Sequence, residues 1–171
     1  ITLLLAYQSL FGHVYSALAL LIACYMAGLI MGSVVFTRIF AVLKNISFEK
    51  LLPICSAFMA LFCLTIMAYF ISFDRVAASL RSPHLFYLFI FIAGEIGGIQ
   101  FVITNAYYLN TQTKSDNKMG NIYGSDMIGS ALGALITSLI LIPIYGLSHA
   151  LFALAILNAS AAAFIGIRSR R

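Results

Sequence analysis

Glu95 is the first candidate for chemistry in this sequence, because it is the single ionisable residue near the middle of a long apolar run. A carboxylate costs at least ~2.5 kcal/mol to place at the centre of a bilayer, so it usually has a role there. One interpretation is a proton or cation site at Glu95, with Gln100 and Asn105 assisting and the adjacent glycines leaving room for water. The alternative is a protonated carboxyl group that hydrogen-bonds to a neighbouring helix.

Asp126 stands at the start of a later apolar run, which we predict to begin a helix at Ser125. A carboxylate in a first helical turn accepts backbone N–H bonds and suits the helix dipole. The sequence therefore predicts a helix cap at Asp126.

The three histidines, His13, His84 and His149, all lie near connections between apolar runs. Histidine is a common haem and metal ligand, so an electron-transfer site with these three as ligands is one alternative. The sequence contains no His-x-x-x-His pair and no Cys-x-x-Cys-His motif, which favours ordinary hydrogen-bonded histidines at an interface. We predict no metal site and no cofactor.

The elements that position these residues are apolar helices. Hydrophobic residues make up 63% of the 171 residues and charged residues 9%, with a mean hydropathy of +1.04. Such a chain has too few polar groups to cover a water-soluble globule, and its runs of about twenty apolar residues match a bilayer core of about 30 Å. We predict an all-α membrane protein with a bundle of about six transmembrane helices in a single domain, residues 1–171. The predicted helices span 1–10, with its start truncated, 17–36, 51–73, 85–109, 125–144 and 148–167.

The basic residues predict an orientation. Eight of the ten Lys and Arg residues fall on one side of the predicted bundle. By the positive-inside rule, we predict that the loops 37–50 and 110–124 and the C-terminus are cytoplasmic, and we expect the chain at a bacterial inner membrane. The net charge of +5 forms no continuous patch with interleaved aromatic residues, so we expect the lipid bilayer and no nucleic acid as a partner.

Three predicted helices carry pairs of glycines four residues apart, a spacing that lets helix backbones approach closely in lipid. We predict helix packing at these pairs: Gly28 and Gly32, Gly94 and Gly98, Gly129 and Gly133. The second and fifth helices are the middle members of two three-helix groups, which suggests two inverted repeats.

Three segments resemble the membrane region of fused spermidine-synthase-like proteins: Tyr7–Ser33, Ala93–Phe101 and Asn121–Leu147, the last with the pattern Tyr-Gly-x-Asp-x-x-Gly-x-x-x-Gly-Ala. The resemblance implies a major-facilitator-like membrane region that, in that family, is joined to a soluble aminopropyltransferase domain. The sequence given has no glycine-rich nucleotide-binding loop and no acidic cluster, so we expect no enzyme activity from it.

Besides electron transfer, two other functions are consistent with the sequence. The leading hypothesis is a non-enzymatic membrane module, an accessory or anchoring subunit that packs against other membrane subunits or a second copy. The alternative is a small proton- or cation-coupled transporter that works as a dimer or as half of a transporter, with Glu95 at the coupling site.

Overall fold

The computed structural model describes residues 1–11, 15–42, 48–72, 83–111 and 118–168, and these form an all-helical protein. No strand occurs in these ranges, which confirms the all-α fold class. Within these ranges six α-helices and one π-helical segment follow one another: α1 (Thr2–Phe11), α2 (Tyr15–Val42), α3 (Phe48–Ile71), α4 (Pro83–Thr111), α5 (Lys118–Ile136), the π segment (Thr137–Tyr145) and α6 (Gly146–Arg168).

In the described part of the chain, four helical segments are long and apolar enough to cross a membrane, as expected of a multi-pass membrane protein: Tyr15–Arg38, Leu51–Ile71, His84–Tyr108 and Tyr123–Ile167. The predicted count of six is not confirmed. α1 is apolar but has ten residues, and at about 1.5 Å per residue it spans half of a bilayer core. The predicted fifth and sixth helices lie in one segment of 45 residues.

The predicted loops are shorter in the structure than in the sequence prediction. α2 continues to Val42 and α3 begins at Phe48, so much of the predicted loop 37–50 is helical. Likewise, α5 begins at Lys118 inside the predicted loop 110–124. Hydropathy marks where a helix enters water, but a helix satisfies its own backbone hydrogen bonds and continues past that point. Residues 43–47 and 112–117 lie outside the described residues, as does His13.

The most extensive contact joins α2 and α4, and four glycines set its distance. A Cβ atom added at any of these glycines would overlap backbone atoms of the opposite helix. The atoms met belong to Phe91 for Gly28, Glu95 for Gly32, Tyr25 for Gly94 and Leu29 for Gly98. The two backbones therefore touch directly, as expected where helix association in lipid depends on close van der Waals packing.

The second large contact joins α3 and α6, and a smaller one joins α3 and α4. At one end of the bundle an aromatic cluster fills the core around Phe86, which is fully buried. The Tyr7 ring meets the Phe86 ring edge-on, with centroids 5.7 Å apart, and the Phe11 ring does the same at 5.5 Å. This arrangement fixes the short helix α1 against the start of α4.

The last segment, from Lys118 to Arg168, is helical throughout but changes direction. Ser125 and Asp126, in the middle of α5, lie beside the C-terminal half of α4, whereas Leu147 packs on the cluster at the start of α4. α6 then returns, and a Cβ on Gly166 would lie 3.9 Å from the Cβ of Pro53 near the start of α3.

The predicted connection between the helices at 125–144 and 148–167 is therefore not a loop, because the π segment ends at Tyr145 and α6 begins at Gly146. Pro143 lies inside the π segment, and Gly146 has φ 80° and ψ 171°, with its N–H donating to the carbonyl oxygen of Ile142. Proline has no N–H to donate, which interrupts the regular α-helical pattern at this point. The reversal is concentrated at one glycine.

The predicted cap at Asp126 is wrong. α5 begins at Lys118, so Asp126 lies eight residues inside the helix, where the following backbone N–H groups already bond to carbonyls within α5. The carboxylate is free for another role.

The predicted inverted repeats are not confirmed. Such a repeat would relate α2 to α5 and α4 to α1, so the close α2–α4 contact should recur between α5 and α1. In the described structure α5 makes an extensive contact only with the π segment that follows it.

Candidate functional site

Glu95 lies on α4 at the glycine-lined contact with α2, and its backbone is the surface that Gly32 meets. Its side chain is half-buried, and no hydrogen bond or ion pair joins it to another described residue. Glu95 is not among the residues that line either of the two cavities described below. The predicted grouping of Glu95 with Gln100 and Asn105 does not form a common site, although the latter two do come together.

A polar cavity of about 510 Å³ lies between α2, α4 and the middle of α5. α4 contributes one face of its helix, with lining residues three or four positions apart. The lining residues are Tyr25 and Leu29 from α2, Gly97, Gln100, Phe101, Thr104 and Asn105 from α4, and Ser125 and Asp126 from α5. The cavity therefore gathers side chains from three helices in an otherwise apolar protein.

The close packing of α2 on α4 positions Tyr25 at this cavity. The Tyr25 backbone lies against Gly94, and the Tyr25 hydroxyl lies 3.9 Å from the position that a Cβ of Gly97 would take. The absence of a side chain at Gly97 thus leaves space beside the hydroxyl group. Tyr25 is 39% exposed, so its ring is a wall of the cavity and not part of the core.

Several lining groups have their hydrogen-bond donors engaged elsewhere. The amide nitrogen of Gln100, Nε2, donates to Ser56 Oγ on α3 at 3.3 Å. The Thr104 hydroxyl donates to the Gln100 carbonyl oxygen at 2.8 Å, and the Ser125 hydroxyl donates to the Asn121 carbonyl oxygen at 2.8 Å. The amide oxygen of Gln100 and the lone pairs of both hydroxyl oxygens are left to accept. The lining therefore offers acceptor oxygens at these three residues, together with donors at the second Gln100 N–H, the Asn105 amide and the Tyr25 hydroxyl.

Asp126 alone carries charge among the described residues that line this cavity. Its side chain is exposed, and it makes no ion pair or hydrogen bond with another described residue. It is close enough to Tyr25 to interact with it electrostatically. Asp126 is thus an exposed carboxylate at the rim of a cavity whose described lining residues include no Lys, Arg or His, and this charge makes the cavity the best candidate for a ligand site among the described residues.

A second, apolar cavity of about 400 Å³ lies between α1, α2, α3, α4 and α6. Its walls come from five helices and include Leu21, Phe62, Ile66 and Leu151. Tyr25 lines both cavities, so its side chain stands between the apolar interior and the polar cavity.

The histidine alternative gains no structural support. His84 and His149 are exposed near the starts of α4 and α6, and His13 lies outside the described residues. Within the part of the chain that the structure describes, no three His, Cys, Asp or Glu side chains lie close enough together to hold a metal ion.

No protein family, no curated protein and no solved structure matches this chain. The site must therefore be interpreted from its own chemistry. Sequence reasoning selected Gln100 and Asn105 but missed Tyr25, Thr104 and Ser125 as lining residues. A signal for Thr104 was present, because Gly97, Gln100 and Thr104 recur at helical spacing on one face of α4. Nothing in the sequence indicated that α5 would face it.

Proposed function

We propose that this chain is a non-enzymatic multi-pass membrane module, a subunit that packs against other membrane subunits or a second copy of itself. The observation that carries the proposal is the exposure of α5. Its two glycines at positions 129 and 133 have no atom within 4 Å of the Cβ position, although the same spacing on α2 and α4 holds two backbones together. A resemblance to the membrane region of spermidine-synthase-like fusions agrees with a modular role.

The proposed module crosses a bacterial cytoplasmic membrane five times, through α2, α3, α4, α5 with the π segment, and α6, while the ten residues of α1 span about half of a bilayer core. A straight helix of 45 residues would measure about 68 Å, more than twice the thickness of a bilayer core. The reversal at Gly146 divides this length into two crossings. The distribution of Lys and Arg supports a cytoplasmic C-terminus.

Purification from native membranes in a mild detergent tests the subunit proposal. We expect a complex of fixed stoichiometry. A double variant with Gly129→Leu and Gly133→Leu should dissociate it, because the leucine side chains would separate the two helix backbones. The matched control is Ala131→Leu, which places the same bulk about 200° around the helix from Gly129. A monodisperse monomer from native membranes, or equal dissociation by the control, contradicts the proposal.

A second candidate function is a cation-coupled carrier, and the polar cavity is the observation that favours it. In this proposal the cavity at Asp126, and not Glu95, holds the coupling ion or the substrate. Two copies, or this chain with a partner, complete the pathway. Uptake of the substrate into proteoliposomes should fall in Asp126→Asn and persist in Glu95→Gln. Equal uptake in Asp126→Asn and the parent chain excludes this function.

A further inference from the structure

We infer that the polar cavity between α2, α4 and α5 binds a small organic cation with a primary ammonium group. The inference builds on the second candidate function by naming a ligand class, but it concerns binding alone. It does not require that the ligand be transported or that the chain be part of a complex.

The sign of the ligand follows from the lining. Asp126 contributes a negative charge, and among the described lining residues no Lys, Arg or His balances it. An anion would meet a carboxylate and several acceptor oxygens with no compensating charge. A cation replaces the missing partner and gains charge-assisted hydrogen bonds.

The hydrogen-bonding capacity of the ligand follows from the engaged donors. Because Gln100 donates to Ser56 and Thr104 donates to a backbone carbonyl, both present acceptor oxygens. Asn105 makes no hydrogen bond to another described residue, so its amide can accept from the ligand through its oxygen and donate through its N–H groups. A primary ammonium group has three N–H donors, which suits a carboxylate together with two neutral oxygens.

The size and apolar walls favour an organic cation over a bare metal ion. A dehydrated monovalent or divalent ion needs a tight shell of oxygen ligands at about 2–2.6 Å, whereas this cavity has a volume of about 510 Å³. Volumes of this order are typical of small-molecule sites. Leu29 and Phe101 provide apolar walls for a carbon chain, and the Tyr25 ring offers a face to the cation.

Binding of n-butylammonium to the full chain in lipid nanodiscs, measured by isothermal titration calorimetry, tests the inference. We expect saturable binding that butan-1-ol, a neutral molecule of similar shape, does not reproduce. Asp126→Asn should weaken the affinity at least about tenfold, because a hydrogen-bonded charge partner is lost. Glu95→Gln is the matched control, since it removes a carboxylate that does not line the cavity, and its affinity should equal that of the parent chain.

Three results would overturn the inference: no saturable binding to the parent chain, unchanged affinity in Asp126→Asn, or displacement of n-butylammonium by an equal concentration of potassium. If circular dichroism shows that Asp126→Asn is not folded, Asn105→Leu takes its place, and an unchanged affinity in that variant also overturns it. Binding without uptake would exclude the carrier function and leave the site intact. An intact complex without binding would exclude the site alone.

Discussion

Three pairs of glycines, each pair four residues apart, lie in two different environments in this molecule. The four on α2 and α4 face backbone atoms of the opposite helix, whereas Gly129 and Gly133 on α5 face open space. A glycine inside a helix lowers its stability by about 1 kcal/mol relative to alanine. On α2 and α4 this cost is offset by direct backbone packing, and on α5 nothing within the described chain offsets it.

Gly94→Ala should therefore destabilise the isolated protein, by about 1–3 kcal/mol, because the new methyl group would overlap the carbonyl oxygen of Tyr25 and separate the helices. Gly129→Ala is the matched control, and we expect it to leave the stability unchanged or to raise it by up to about 1 kcal/mol. Denaturant unfolding in detergent, followed by circular dichroism, measures both. Equal effects of the two substitutions would show that the α2–α4 glycine contact contributes nothing specific.

The polar residues show how far single-residue reasoning extends. Glu95, Gln100 and Asn105 attract attention because each is polar within an apolar run. The sequence does not reveal that Glu95 lies outside the cavity, because that depends on which face of α4 meets α2. Asp126 was interpreted as a cap because hydropathy placed the helix start at Ser125. Its role at a cavity depends on the earlier start of α5 at Lys118 and on the position of a distant helix.

At the scale of elements, hydropathy located the three long helices predicted at 17–36, 51–73 and 85–109, whereas the two helices predicted at 125–144 and 148–167 lie in one helical segment, and it did not predict how the helices end or turn. The predicted helix at 17–36 is part of α2, and that at 51–73 corresponds closely to α3. The reversal after the fifth predicted helix could not be described from hydropathy. The composition stays apolar through Gly146, and helical hydrogen bonding is interrupted there for only a residue or two. A composition-based method sees Pro143 and Gly146 and predicts a loop.

Gly146 is the residue on which this reversal depends. Its φ of 80° and ψ of 171° lie in a region that is almost exclusive to glycine. Gly146→Ala should lower the free energy of unfolding by about 1–3 kcal/mol through backbone strain. Gly124→Ala is the comparison, since Gly124 is helical with no atom within 4 Å of its Cβ position. Thermal unfolding of both variants in the same detergent tests the difference, and a fully stable Gly146→Ala protein would be inconsistent with the described backbone.

For the whole molecule, the arrangement of helices places two chemically distinct ends on the bundle. Aromatic side chains around Phe86 fill the end formed by the starts of α2, α4 and α6. The opposite end holds the polar cavity and the helix termini nearest most of the Lys and Arg residues. The sequence predicted the charge asymmetry. It did not predict that the principal pairs would be α2 with α4 and α3 with α6, because contacts between helices distant in sequence leave no local pattern.

Reporter fusions test the proposed orientation of the whole chain. Green fluorescent protein fused after Arg171 should fluoresce, because the C-terminus is expected on the cytoplasmic side. Alkaline phosphatase fused after Ala78, in the connection between α3 and α4, should be active because that connection is expected outside. The reversed pattern of activities would require the opposite orientation.

The α2–α4 contact also has a consequence for how the chain is made. Gly94 follows Gly28 by about 66 residues, so at about 5–20 residues per second it is synthesised roughly 3–13 s later. If the helices insert in order, the glycine surface of α2 has no partner helix in the bilayer while α3 is synthesised. During that interval any other helix with small residues competes for the same surface. The α2–α4 contact is thus also open to mispairing during biogenesis.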